Sequence, residues 1–93
     1  MSVEVKLPTL LRAAADGAPS ATVDGSTVGE VLRSLEVAHP GLVGQLLTDD
    51  GSLHKFVNVY LNDDDVRYLD RLDTAVRAGD VVSILPAVAG GSL

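Results

Sequence analysis

Chemistry in this chain is concentrated on two residues without side chains, Gly90 and Gly91. They lie in the terminal stretch Leu85-Pro86-Ala87-Val88-Ala89-Gly90-Gly91-Ser92-Leu93, where nothing can act as acid, base or nucleophile. Any reaction there must run through the backbone. A C-terminal carboxyl has a reference pKa near ~3.5, so at neutral pH it is an anion and a poor electrophile that something else must activate. Glycine, having no Cβ, lets a backbone pass through a narrow channel and bring its carbonyl close to another molecule. Fully extended, residues 86–91 span roughly 20 Å at about 3.3 Å per residue, enough to reach a partner's buried site. The plain alternative is a frayed terminus, since chain ends are commonly disordered. Gly-Gly by itself does not decide between them.

No other constellation competes. Asp49-Asp50-Gly51 and Asn62-Asp63-Asp64-Asp65 resemble fragments of calcium loops, but neither has the alternating ligands and final glutamate of an EF-hand. Solvated turns are the better reading. His39 precedes Pro40 at a helix end and His54 opens a strand, with no third ligand or nucleophile evident. A two-histidine metal or catalytic site is therefore not expected. Gly25 and Gly29 lack the pattern and the lysine of a phosphate loop. There is no cysteine, which excludes disulfides, thiol catalysis and cysteine-ligated zinc. We expect no catalytic side chain, no metal and no bound cofactor.

Ninety-three residues, 46% hydrophobic and 22% charged, suit one small domain with a single core. Thirteen acidic residues against seven basic ones give a net charge of −6. That balance argues against nucleic acid, whose phosphates would be repelled, and favours partners with a basic docking surface. Acidity serving solubility alone explains it equally well. The N-terminal residues are no signal peptide, and no apolar run approaches membrane-spanning length. A cytoplasmic protein without membrane contact is expected.

The tail needs a body to present it. Val3-Glu4-Val5-Lys6-Leu7 alternates as a half-buried strand does. Pro8 interrupts ladder pairing, so Thr9–Arg12 reads as an irregular edge or turn and 13–19 as the loop to a second strand, Ser20–Asp24. Thr27-Val28-Gly29-Glu30 fits a capping box, in which Glu30 reaches back. Val28, Val31, Leu32, Leu35 and Ala38 then repeat at helical spacing until His39-Pro40-Gly41 ends the run. A further short helical turn is expected over 42–47. His54–Leu61 is the clearest strand, with Val57, Val59 and Leu61 on one face. Phe56 and Tyr60 on the other face are a candidate docking surface, or pack under a loop. A short strand over 66–68 follows, then irregular chain anchored by Leu72 and Val76. Val81–Leu85 is apolar almost throughout and suits a central strand covered on both faces.

Strand, strand, helix, strand, short strand, strand describes an α+β roll. The β-grasp (ubiquitin-like) arrangement fits it: a mixed sheet of four to five strands crossed by one main helix, the last strand parallel beside the first. Residues 1–85 would form this domain and 86–93 a flexible tail.

In combination these segments resemble the ubiquitin-like sulfur carriers of the ThiS and MoaD type, most closely the CysO-like branch. The resemblance rests on Pro8-Thr9-Leu10-Leu11-Arg12, on the run His54 to Arg67, and on Ala78-Gly79-Asp80 through Leu85-Pro86-Ala87-Val88-Ala89-Gly90-Gly91. It implies a carrier, not an enzyme. Gly91 would be adenylated by an ATP-dependent, E1-like enzyme and converted to a thiocarboxylate. Gly90 would allow threading, and Pro86, Ala87, Val88 and Ala89 would be gripped by partners. The sulfur would pass to a biosynthetic acceptor enzyme serving cysteine, thiamin, molybdopterin or a specialised metabolite.

One departure stands out. Active carriers of this family end at the second glycine, whereas Ser92-Leu93 follow it here. A precursor trimmed after Gly91 by a metalloprotease is the expectation; a residue pair left by cloning is the other origin. Two further functions fit the same residues: a ubiquitin-like modifier conjugated through Gly91, and a passive β-grasp interaction module with an expendable tail.

Overall fold

The computed structural model describes residues 2–55 and 57–86. Alternation in β1 (Ser2–Lys6) buries Val3 and Val5 and exposes Ser2, Glu4 and Lys6. β2 (Ser20–Asp24) returns antiparallel, Val3 facing Val23 and Val5 facing Ala21. Between them the chain departs from expectation. Thr9–Arg12 is a helical turn, α1, continued by a 3-10 turn over Ala13–Ala15. Pairing stops at Lys6, before Pro8, as expected; of the edge and the turn expected after it the chain takes the turn, and Pro8 caps it, its carbonyl accepting from the Leu11 N–H at 3.0 Å. Proline has no N–H to waste at a helix start, which is why it suits this position.

The main helix, α2, spans Val28–Ala38 and buries Val28, Val31, Leu32 and Leu35. Ala38, expected on that stripe, is exposed. The Thr27 hydroxyl accepts from the Glu30 N–H at 3.2 Å. Glu30 reaches back one residue further than a capping box requires, its Oε1 accepting from the Ser26 N–H at 3.0 Å and hydroxyl at 2.8 Å. Those bonds, the backbone one first, hold its carboxyl below the ordinary value.

After α2 the helical turn lies at Pro40–Leu42 rather than over 42–47. Leu42, Leu46 and Leu47 are nonetheless buried, closing the end of the core. The third strand, β3, covers Val57–Leu61 and not 54–61. His54 instead uses its N–H on the Leu46 carbonyl at 2.8 Å, fastening the incoming loop. The short strand is Asp64–Asp65 (β4), and 66–68 is a 3-10 turn capped by the Asp65 carboxylate. Leu72 is packed against the core and Val76 is within it, as the sequence implies.

β5 (Val81–Pro86) runs between β1, parallel, and β3, antiparallel, giving the order β2-β1-β5-β3-β4. It is central, but it is not covered on both faces. Val82 and Ile84 are buried under α2's side of the sheet while Val81 and Ser83 are half-buried. Only one helical layer is available, so the opposite face meets solvent. The result is the β-grasp roll expected from the sequence, with β5 in the middle of the sheet.

Candidate functional site at the root of the tail

A strand at the centre of a sheet is pinned on both sides, so a segment leaving its end starts from a fixed point. Pro86 is that end. Read from the sequence as the first tail residue, it is the last residue of β5, in register with Val57 and exposed. Its lack of an N–H suits a strand end, where the ladder stops. Gly91, Gly90, Ala89, Val88, Ala87, Ser92 and Leu93 lie outside the described residues, as does Phe56.

Two clefts flank Pro86. One, of about 340 Å³, is lined by Leu10, Leu11, Gln45, His54 and Val57 as well as Pro8 and Pro86. The other, of about 540 Å³, lies between 6–10 with Arg12 and 83–86. Pro8 and Leu10 belong to both. Leu10 is 66% exposed and Leu85 45% exposed, which leaves apolar surface beside the end of β5. Covering the area still exposed would be worth roughly 1–2 kcal/mol at Leu10 and roughly 0.7–1.4 kcal/mol at Leu85, the exposed fractions of the value for a whole leucine side chain. Leu10 was not singled out from the sequence, because its segment was read as an irregular edge or turn with no assigned faces. The signal available was Pro8 at a helix-start position followed by Leu-Leu.

Tyr60, the described half of the expected docking pair, is half-buried on the outer sheet face. Strand registers place Ser20, Lys6, Ser83 and Tyr60 in one row across β2, β1, β5 and β3. That row is mainly polar, so Tyr60 supplies its aromatic surface among hydrogen-bonding groups.

Next to it, sequence reading missed an ion pair. Asp65, its side chain 7% exposed, accepts from Arg67 Nη2 at 2.8 Å, from Nε at 3.2 Å and from the Arg67 backbone N–H at 2.9 Å. The Arg67 side chain first, and its backbone N–H with it, hold the Asp65 carboxyl below the usual carboxylate range. In return the Arg67 guanidinium is pushed up, first by the bond to Asp65. The only sequence signal was Asp-x-Arg spacing inside an acidic run.

The acidic clusters otherwise serve their own turns. Asp50 accepts from the Thr48 hydroxyl and from the Ser52 N–H, bonds that lower its carboxyl. Among the described residues no three of His, Asp and Glu gather as a metal site. His39 caps α2, donating its N–H to the Leu35 carbonyl at 2.9 Å, and its Nδ1 lies 3.9 Å from Asp16. His54 lines the cleft beside Pro86. No helix among the described residues is long and apolar enough to cross a membrane.

Comparison with known proteins agrees with this geometry. Residues 5–91 match the model of the ThiS family. The chain is 46% identical over 93 residues to the sulfur carrier protein CysO of Mycobacterium tuberculosis, covering 98% of this chain and all of that one. It is 50% identical over 68 residues to small archaeal modifier protein 3 of Haloferax volcanii, covering 73% of each. Among solved structures, the Amycolatopsis orientalis BexX/CysO complex contains a chain with a TM-score of 0.87 and 44% identity. That match covers 96% of this chain and 99% of the other.

Proposed function

This chain belongs to the ThiS family, and from that premise we propose that it is a sulfur carrier whose working group is the carboxyl of Gly91. The observation that carries the reading is where the family match stops: at residue 91, the second glycine. The segment 87–91 starts from a fixed strand end with exposed Leu10 and Leu85 beside it. Such a body contributes position, not catalysis, and a carrier is not an enzyme.

As the sequence stands, the Gly91 carbonyl is in a peptide bond to Ser92. Hydrolysis of that bond by a processing protease, a metalloprotease in our reading, consumes one water and frees the carboxylate. An E1-like enzyme then joins the carboxylate oxygen to the α-phosphate of ATP, releasing pyrophosphate. Sulfide attacks the acyl carbon, a C–S bond forms, and AMP leaves with the former carboxylate oxygen. ATP is consumed by the activating enzyme; the carrier holds no cofactor. The work takes place in the cytoplasm, where ATP is at hand. Gly90 lets the thiocarboxylate thread into an acceptor enzyme's site, and Pro86 to Ala89 are the residues that partners grip. Residues 1–86 act as the body, since Pro86 closes β5, and 87–93 as the tail, with Phe56 and Tyr60 offering a second contact. The BexX/CysO complex supports the reading that a carrier of this shape works in complex with another protein.

Conjugation to lysines is the second reading, favoured by the likeness to small archaeal modifier protein 3. The full-chain match to a sulfur carrier weighs more. Reconstituted sulfur transfer separates the two. A chain ending at Gly91 should support incorporation, and one lacking Gly90 and Gly91 should give none. Normal incorporation by the shortened chain would exclude the carrier role, and Gly91 remnants on target lysines without sulfur transfer would establish the modifier instead.

A further inference from the structure

One cleft, of about 580 Å³, opens between the 51–55 and 66–73 segments, and the sulfur chemistry makes no use of it. His54, Lys55, Arg67 and Arg71 line it, so three of the chain's seven lysines and arginines gather there on a molecule of net charge −6. Arg71 adopts a left-handed backbone, φ 54°, a conformation that residues with a Cβ rarely take. Its guanidinium has no ion-pair partner among the described residues. Arg67 spends Nε and Nη2 on Asp65, which leaves Nη1 without a protein acceptor among the described residues. Two carboxylates, Asp70 and Asp73, also line the cleft, and Leu53 and Leu72 add partly buried apolar surface.

We propose that this cleft docks an acidic, partly apolar peptide segment of a partner protein, its carboxylates meeting Arg71 and Arg67 and its apolar side chains lying on Leu53 and Leu72. A dense polyphosphate is disfavoured: it brings several charges at once against Asp70 and Asp73, and it has nothing to place on leucine. A peptide with spaced carboxylates satisfies the arginines and buries the apolar surface at once. Location suits the role, since His54 and Val57 line both this cleft and the one beside Pro86. A partner holding the tail is therefore already next to it. The docking itself needs no sulfur, so it can be tested apart from the carrier reading.

The test is a titration of the isotope-labelled chain, followed by backbone amide shifts, with a short peptide of alternating glutamate and leucine. Shifts are expected over 51–55 and 66–73, and little from a lysine-leucine peptide. Arg71→Glu should weaken binding about threefold to tenfold, the effect of reversing one surface charge. Asp73→Lys should tighten it, a gain that misfolding cannot mimic. Binding should fade near 1 M salt, where the screening length falls to about 3 Å. Arg77→Glu, at an exposed position away from every cleft described, should change nothing. Equal binding by Arg71→Glu, shifts confined to other surfaces, or equal response to the lysine peptide would overturn the proposal. Tighter saturation of the same amides by inorganic tripolyphosphate would make this a phosphate site instead.

Discussion

Replacing Gly41 by alanine tests the packing that holds the Leu10 side of the tail's exit in place. An ideal Cβ at Gly41 would lie 2.6 Å from the Ala14 carbonyl oxygen and 3.3 Å from the Ala14 Cα. Ordinary contact begins near 3.4 Å, so the two backbones must part by about 0.8 Å. Both atoms are main-chain, and no rotamer change relieves the clash. Overpacking of this kind costs about 1–3 kcal/mol. At about 4–8 °C per kcal/mol for a domain of this size, a cost near the middle of that range lowers Tm by about 8–16 °C. Gly17→Ala is the matched comparison. Gly17 has φ +82° and nothing within 4 Å of its would-be Cβ, so its cost is conformational only, about 1 kcal/mol. Thermal melts of the two variants beside the natural chain measure the difference. A Gly41→Ala melt within about 2 °C of the natural chain, well under the shift expected from 1 kcal/mol, would refute the close approach of the 13–15 and 40–42 turns. The positioning argument for Leu10 would fall with it.

Thr27→Ala removes the hydroxyl that accepts from the Glu30 N–H; a lost N-cap costs about 1 kcal/mol, or about 4–8 °C in Tm, read by circular dichroism at the helix band. Asp65 predicts an acid response. Its folded pKa lies below the unfolded one, so the stability it contributes is fully present above about pH 4 and drains away as pH falls through the lower folded value. Asp65→Asn should therefore be less stable than the natural chain at pH 7, with the gap closing below about pH 4. A gap that stays constant down to pH 2 would show that the carboxylate charge is not what stabilises the 3-10 turn at 66–68.

Much of the body was legible because its elements obey simple periods. Val3 and Val5 alternate, Val28, Val31, Leu32 and Leu35 return every three or four residues, and a helix between strands permits a parallel pair. Legibility failed where tertiary contacts overrule local pattern. Thr9–Arg12 has the composition of an edge, yet Pro8 starts a helical turn because Leu11 finds the core. His54 and Lys55 continue the alternation of β3, but the Leu46 carbonyl takes the His54 N–H and the ladder begins only at Val57. Val81–Leu85 reads as doubly covered because apolar composition does not report how many layers a fold has. Asp65 and Arg67 were hidden inside a run of acids whose members look alike until one is buried. At the site, Gly90 and Gly91 meant little alone and much in combination with the preceding strand and proline. The cleft at Arg71 had no linear signature, since its residues come from two separated loops.

Sulfur on Gly91 is most directly read by intact mass. The chain trimmed to end at Gly91, incubated with ATP, sulfide and an E1-like activating enzyme, should gain the mass of one oxygen replaced by sulfur, located by fragmentation at the last residue. The same chain still carrying Ser92 and Leu93 should gain nothing until it is cleaved. An unchanged mass for the trimmed chain, with an activating enzyme that loads a CysO control, would contradict the account.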